Sequence, residues 1–353
     1  MNPKFRMFLG TAWPAFPGLA AALLLWFAVP VPYIVYQPGP VASTRPMVET
    51  AAAPIADDDG SGVYLLTTVR WMYANVFAYA WARLDPDAEL LDKKTVTRGA
   101  SLSEHVARQR VQMRASHANA IEAAYRELGI PYRQRNQGLT VFSVLDGSAA
   151  DGALRPGDVL HAIDGMTLEA EDDVQAALSG KAAGDKVEVT FRRGGAERSE
   201  RLTLRQIPNA DPPRPGFGIT YGMLQSVESV DPAYRITVKP GSIGGPSAGL
   251  MFALDIYDRF TEGDGTKGYV VAGTGEISPG GAVGRIGGVA HKVTGASREG
   301  ADLFFVPTDN ADEARAKAAE LRTDMRIVPV ASLREALDYL ASLPEKETRT
   351  GGL

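Results

Sequence analysis

The stretch GSIGGPSAGLMFALDIY, residues 241–257, decides how the chain is read. Gly241, Gly244 and Gly245 with Pro246 force an irregular loop over the first half. Pro246 then stands where a first helical residue is tolerated, because the N–H it lacks would have had no partner there. Ser247 therefore falls in the first turn of a helix that continues through an apolar run. At that position the helix dipole and free N–H groups favour negative charge, on a serine oxygen or on the oxyanion of a tetrahedral intermediate. Two readings of Ser247 stand side by side here, a helix cap and a nucleophile.

A second stretch, RIGGVAHKVTGASREG at residues 285–300, bears on that choice. A helix starting after Gly288 puts Val289, Lys292, Val293 and Ala296 on one face, so the lysine lies in an apolar stripe, away from Arg298 and Glu299. Burying an ammonium lowers its pKa and yields a neutral amine that can take a proton. The alternative is a lysine that snorkels its head to water along the helix edge. Taken together, Ser247 and Lys292, 292 − 247 = 45 residues apart, are the parts of a Ser-Lys dyad.

Outward from the pair, residues 216–343 read as an α/β segment. Strands are expected at YRITVKPG, KGYVVAGTG and ADLFFVP, and a helix at SAGLMFALDIYDRF. Asn310 with Glu313, and Ser332 with Glu335, have capping-box spacing and set the starts of two final helices. A Pro-rich linker, residues 208–215, precedes this segment and a polar tail, 344–353, follows it. Residues 133–207 form a small β-rich module with one helix near 172–178. Ahead of it, residues 61–132 hold a strand, VYLLTTV, and an amphipathic helix that Gly129-Ile130-Pro131 stops. Folded structure is expected to begin near Gly62, after a linker at 37–60.

No charge interrupts the chain between Arg6 and Arg45, and LAAALLLWFAVPVPYIVY reads as a membrane anchor at 15–36. A signal peptide and a buried core helix are the alternatives. Lys4 and Arg6 then place residues 1–14 in the cytoplasm and the rest of the chain outside, as a single-pass protein of the cell membrane.

Composition narrows the chemistry. The 353 residues carry 37 Lys+Arg against 42 Asp+Glu, a net charge of -5, so nucleic acid is not an expected partner. With 0 Cys there is no disulfide framework, cysteine nucleophile or thiolate zinc site. The four histidines, His105, His117, His161 and His291, have no paired-ligand spacing, so no metal is expected. There is no GxxxxGK[ST], and GTGEISPGGAVG lacks the dinucleotide pattern, so no cofactor is expected either.

Residues 152–166, GALRPGDVLHAIDGM, closely resemble the signature of PDZ domains. In that family a loop before the second strand captures a peptide's C-terminal carboxylate, and the strand adds the peptide to the sheet edge. The resemblance puts peptide binding at Gly138, Leu139 and Thr140, after Gln137, although this stretch departs from the family's Gly-hydrophobic-Gly-hydrophobic loop. A module that only spaces two parts of the chain is the alternative.

GGPSAGL around Ser247, AGTGEISPGGAVGRIGG at 272–288, HKVTGASREGADLFFVP at 291–307 and IVPVASLREAL at 327–337 resemble the proteolytic domain of Lon-type serine proteases. The resemblance implies Ser247 as nucleophile, Lys292 as general base, and Thr274 as the hydroxyl that orients the lysine amine. Backbone N–H groups near Gly244, Gly245 and Ser247 would hold the oxyanion. Lon proteins commonly carry Asp where Gly244 stands. The strand VYLLTTV and the helix at 102–128 also look like Lon elements, so the PDZ-like module is expected to be inserted into the protease domain.

The expectation is an α+β fold: a Lon-type proteolytic domain with an inserted PDZ-like module and an N-terminal transmembrane helix. Its activity would be that of an ATP-independent serine endopeptidase acting on unfolded, membrane-associated or exported proteins. A silent PDZ adaptor and a protease restricted to self-processing are the alternatives. Lon resemblance also points to a homo-oligomer, on which the residues themselves are silent.

Overall fold

The computed structural model describes residues 26–51, 62–97, 102–207, 214–239, 241 and 243–346. The chain falls into two compact units, residues 1–38 with 69–99, and residues 39–68 with 100–353.

In the smaller unit the first part of β1 (Pro30–Ser43) pairs antiparallel with β4 (Glu89–Asp92), from Tyr33 opposite Asp92 to Tyr36 opposite Glu89. Helix α1 (Val76–Ala82) follows the end of β3 (Val63–Asn75), and α2 (Lys93–Thr97) follows β4. Asn75 caps α1 by accepting the Ala78 N–H at 2.7 Å. Ala78 and Ala82 turn inward and cluster with Val35 and Ala74.

The expected anchor is only partly within view. Residues 15–25 lie outside the described residues, and no helix among the described residues is long and apolar enough to cross a membrane. Trp26–Ala28 are helical, but residues 30–36 are strand, which corrects the end of the expected span. Pro30 and Pro32 break a helix yet are tolerated near the start of a strand. Order also begins before Gly62: residues 37–43 continue β1, and β2 (Val48–Thr50) pairs with β13 (Ile236–Val238). Pro38 and Pro40 resemble linker residues, but they stand beyond the β4 pairing, where a strand accommodates a missing N–H.

Two large sheets and three two-stranded pairs account for the strands of the larger unit. In the first, β3 pairs in parallel with β14 (Val270–Gly273), β14 with β17 (Leu303–Pro307), and β17 with β18 (Arg326–Val330). Helix α6 (Val289–Arg298) connects β14 to β17, and α7 (Ala311–Leu321) connects β17 to β18. Such crossovers cover both faces, so the strands are apolar on both sides. Val271, Leu303 and Phe305 pack with α3 (Leu102–Leu128), α5 (Gly249–Arg259) and α8 (Leu333–Ser342); Ala272, Phe304 and Val306 pack with α6 and α7. This half is therefore α/β, a correction to the expected α+β class, because its strands are joined through helices to parallel neighbours. The short β15 (Glu276–Ile277) and β16 (Val283–Gly284) form a separate antiparallel pair.

The second sheet is antiparallel, in the order β12-β5-β6-β8-β9. It comprises β5 (Tyr132–Val144), β6 (Val159–Ile163) with the short β7 (Met166–Thr167) beside it, β8 (Lys186–Arg193), β9 (Ala196–Thr203) and β12 (Ile219–Ser229). Helix α4 (Glu171–Ala177) belongs to the same module. Asp158, in the Gly-Asp turn, is buried and held by Arg193 Nε and Nη2 at 2.7 and 2.6 Å. The module does not close at residue 207. β10 (Arg205–Gln206) pairs with β11 (Pro215–Gly216), and β12 pairs with β5 from Ile219 opposite Val144 to Ser229 opposite Tyr132. Alternating Ile219, Tyr221 and Met223 on β12 pack on the module core, which makes the strand part of it.

Ser332 caps α8 by accepting the Glu335 N–H at 3.2 Å. Asn310 does not cap α7. Its side chain accepts the Ile286 N–H at 2.9 Å and donates to Ile286 O at 3.1 Å, clamping the turn that leads into α6.

Candidate active site

Two elements bring the reactive side chains together. At the start of α5, Gly245 has a φ of 90°, and a Cβ there would come within 2.8 Å of Gln109 Oε1, so only glycine fits. Pro246–Ala248 then form one 3-10 turn, and Ser247 sits half-buried in it. On α6, Val289, Lys292, Val293 and Ala296 are all buried. The helix thus carries Lys292 inside the domain, not along its edge.

Lys292 Nζ lies 2.6 Å from Ser247 Oγ and 2.9 Å from Thr274 Oγ1. The Thr274 hydroxyl donates to Ser247 O at 3.0 Å, and the Gly275 N–H donates to the same oxygen at 2.8 Å. A threonine hydroxyl has one proton, so Thr274 Oγ1 must accept from Lys292. In the neutral amine one N–H is thereby committed to Thr274, and the lone pair is free to face Ser247 Oγ. Burial holds the Lys292 pKa down to about 7, against a smaller upward pull from the Glu276 carboxylate. At neutral pH the amine is therefore available as a base.

Gly245 N–H, expected with Gly244 among the oxyanion donors, is turned instead to Gln109 O at 3.3 Å, while Gly244 stays exposed. Sequence reading missed the support behind this loop. Ser116 Oγ donates to Pro246 O at 2.8 Å, and Asn119 Nδ2 donates to Ile277 O at 3.0 Å. Gln109, Ser116 and Asn119 are spaced by seven and three along α3, so a polar stripe on one helix face was the available signal.

Gly138, Leu139 and Thr140 lie elsewhere, inside the module sheet. Leu139 is opposite both Met223 and Leu160, and Thr140 is opposite both Gly222 and Val159, so no edge is open there for an added peptide. Gly138 has a φ of 103°, and a Cβ would meet Val159 Cγ1 at 2.5 Å; close packing accounts for this glycine. The sheet edge beside α4 is β12. Glu171 Oε1 accepts the Met223 N–H at 3.0 Å on that strand. Immediately before β12 the chain reads Gly216-Phe217-Gly218-Ile219, the Gly-hydrophobic-Gly-hydrophobic pattern that residues 137–140 lack. The pattern was legible, but it comes after the rest of the module in chain order.

Comparison with known proteins finds two regions of similarity. The PDZ domain family model matches residues 127–204, and the Lon protease (S16) C-terminal proteolytic domain model matches residues 233–342. A Lon protease of Aster yellows witches'-broom phytoplasma is 33% identical over 96 residues, which is 27% of this chain and 12% of that protein. A Lon protease of Roseiflexus castenholzii is 39% identical over 118 residues, 33% of this chain and 14% of that protein. The chain thus spans only 12% and 14% of the length of these relatives. Among solved structures, the PDZ domain of an SdrC-like protein from Listeria monocytogenes is 28% identical, covering 24% of this chain and 86% of its own, with a TM-score of 0.22. Residues 127–204 are thus similar to PDZ domains, and residues 233–342 to the proteolytic domain of Lon proteases.

Proposed function

We propose that the chain is an ATP-independent serine endopeptidase with Ser247 as nucleophile and Lys292 as general base. The observation that carries this reading is the placement of Lys292 Nζ between Ser247 Oγ and Thr274 Oγ1, at 2.6 and 2.9 Å, in a buried site. The neutral amine takes the Ser247 proton as Oγ attacks the peptide carbonyl, then gives it to the leaving amine. Thr274 fixes the amine so that its lone pair meets Oγ. The backbone N–H groups of Gly244 and Ser247 hold the oxyanion. Water then releases the acyl group by the same base. Acting without ATP, such an enzyme takes segments that are already unstructured.

The apolar, uncharged stretch before Arg45 supports a single-pass membrane anchor, with the N-terminus cytoplasmic and the catalytic domain outside. Tails of membrane-associated or exported proteins are then the substrate class. The PDZ module recruits them along β12, with residues 216–219 at the carboxylate end of the groove. Cleavage of casein without ATP by the wild type, with none by Ser247→Ala or Lys292→Ala, is the expected result. Equal cleavage by all three proteins would overturn the assignment.

A further inference from the structure

We propose that the smaller unit rests in the interface of a lipid bilayer, on an aromatic face made by Trp26, Phe27, Phe77, Trp81 and Leu84. This proposal rests on the membrane-anchor reading above. Helix α1 is built inside out. Its small residues, Ala78 and Ala82, are buried, whereas Phe77 and Trp81, four apart on one face, are 43% and 41% exposed. Leu84, just past the helix, is 85% exposed. Seven of the ten exposed large apolar side chains among the described residues, namely these three with Trp26, Phe27, Val29 and Met72, belong to this unit. Scattered exposed apolar residues need no explanation, but such a concentration marks an interaction surface.

The chain's path identifies what covers the face. The apolar run that begins at Leu19 reaches Trp26 and Phe27 in the last helical turn before Pro30 opens β1. The end of β3 returns to the same point: Asn75 Nδ2 donates to Phe27 O at 3.0 Å, and the Val76 N–H donates to Val29 O at 3.2 Å. The Phe27 and Phe77 rings then meet at 4.6 Å between centroids. Whatever medium surrounds the end of the apolar segment therefore also meets α1. Trp and Phe at the end of an apolar segment are the composition of a membrane–water boundary, where an amphipathic helix lies with its apolar face roughly 5–10 Å deep.

The test uses the full chain reconstituted into phosphatidylcholine–phosphatidylglycerol vesicles. With Trp13→Phe, Trp26→Phe and Trp71→Phe, Trp81 is the sole emitter of the 4 tryptophans. Lipids brominated near the headgroup end of the acyl chains should cut Trp81 emission about twofold or more, because a residue at that depth lies within contact of the bromines. Phe77→Ser with Leu84→Ser, both at exposed positions, should reduce this quenching while the protein still floats with the vesicles. A floating protein whose Trp81 is quenched by aqueous iodide and not by brominated lipid overturns the proposal and leaves the anchor standing. Trp81 shielded from both quenchers also overturns it, since the face is then covered by protein, either residues 1–25 or a partner. A chain that does not float overturns the anchor reading and this proposal with it.

Discussion

The two ends of α5 bury ionisable groups to opposite effect. At its start, Lys292 reaches Ser247 and Thr274, and burial brings its pKa down to about 7. In its last turns Asp255 and Asp258 are buried, and burial pushes Asp258 up to about 7, with Asp264 and Asp255 adding repulsion. Desolvation disfavours the charged form in both places. What differs is the surroundings. Lys292 has two hydroxyl partners that suit a neutral amine. Asp258 stands at a helix C-terminus, where the dipole disfavours negative charge, and the Gly265 N–H at 2.7 Å only partly offsets this. Losing a proton switches on the first group and strains the second. Activity should therefore rise through neutral pH, while the part of stability that rests on the Asp258 proton is lost on the way up to it.

The sharpest way to break this contrast is to remove the dyad. Ser247→Ala and Lys292→Ala should each lower kcat/KM on casein by about 10³-fold or more, since members of a catalytic unit fail together. Lys292→Met should do the same to activity yet raise stability at pH 7 by about 1–3 kcal/mol, because it removes a buried ammonium. Thermal unfolding decides it, and a less stable Lys292→Met would mean that the lysine holds the site together. Thr274→Val should cost about 10- to 100-fold in kcat, as the amine loses the hydroxyl that orients it. In the wild type kcat/KM should rise with pH to a plateau with an apparent pKa near 7. A flat profile across that range would exclude Lys292 as the titrating base.

Much of this was legible in the sequence where chemistry and local pattern coincide. Pro246 marked the helix start, and the positions of Val289, Val293 and Ala296 placed Lys292 inside. Ser332 with Glu335 gave a working cap. Asn310 with Glu313 had the same spacing, but the buried backbone of Ile286 competes for the Asn310 side chain and wins. Such tertiary competition leaves no local mark. Residues 138–140 lie inside the sheet for a different reason. Residues 137–140 precede a strand, as the family's loop does, yet β12 comes from beyond a Pro-rich segment and covers that edge. Strand order in a sheet is set by packing across the chain, so chain order alone does not show that this edge is covered. Gln109 and Ser116 escaped because their partners, Gly245 and Pro246, lie over 100 residues away and are bound through backbone atoms.

The smallest expected effect separates the two titrations. The folded state holds the Asp258 proton more tightly than the unfolded chain, whose carboxyl titrates at 3.8. Its contribution to stability is therefore complete below about pH 4 and is lost as pH rises through about 7. Asp258→Asn cannot ionise, and its amide oxygen can still accept the Gly265 N–H. Below the Lys292 titration, between about pH 4 and pH 6, the variant should hold its urea midpoint, whereas the wild type loses about 1–3 kcal/mol over the same interval. Its activity profile should keep the rise near pH 7, because that rise belongs to Lys292 at the other end of the helix. If Asp258→Asn flattened the activity profile instead, the titration seen in catalysis would be that of the carboxylates, acting along α5 on Ser247, and the lysine would have to be neutral throughout the range.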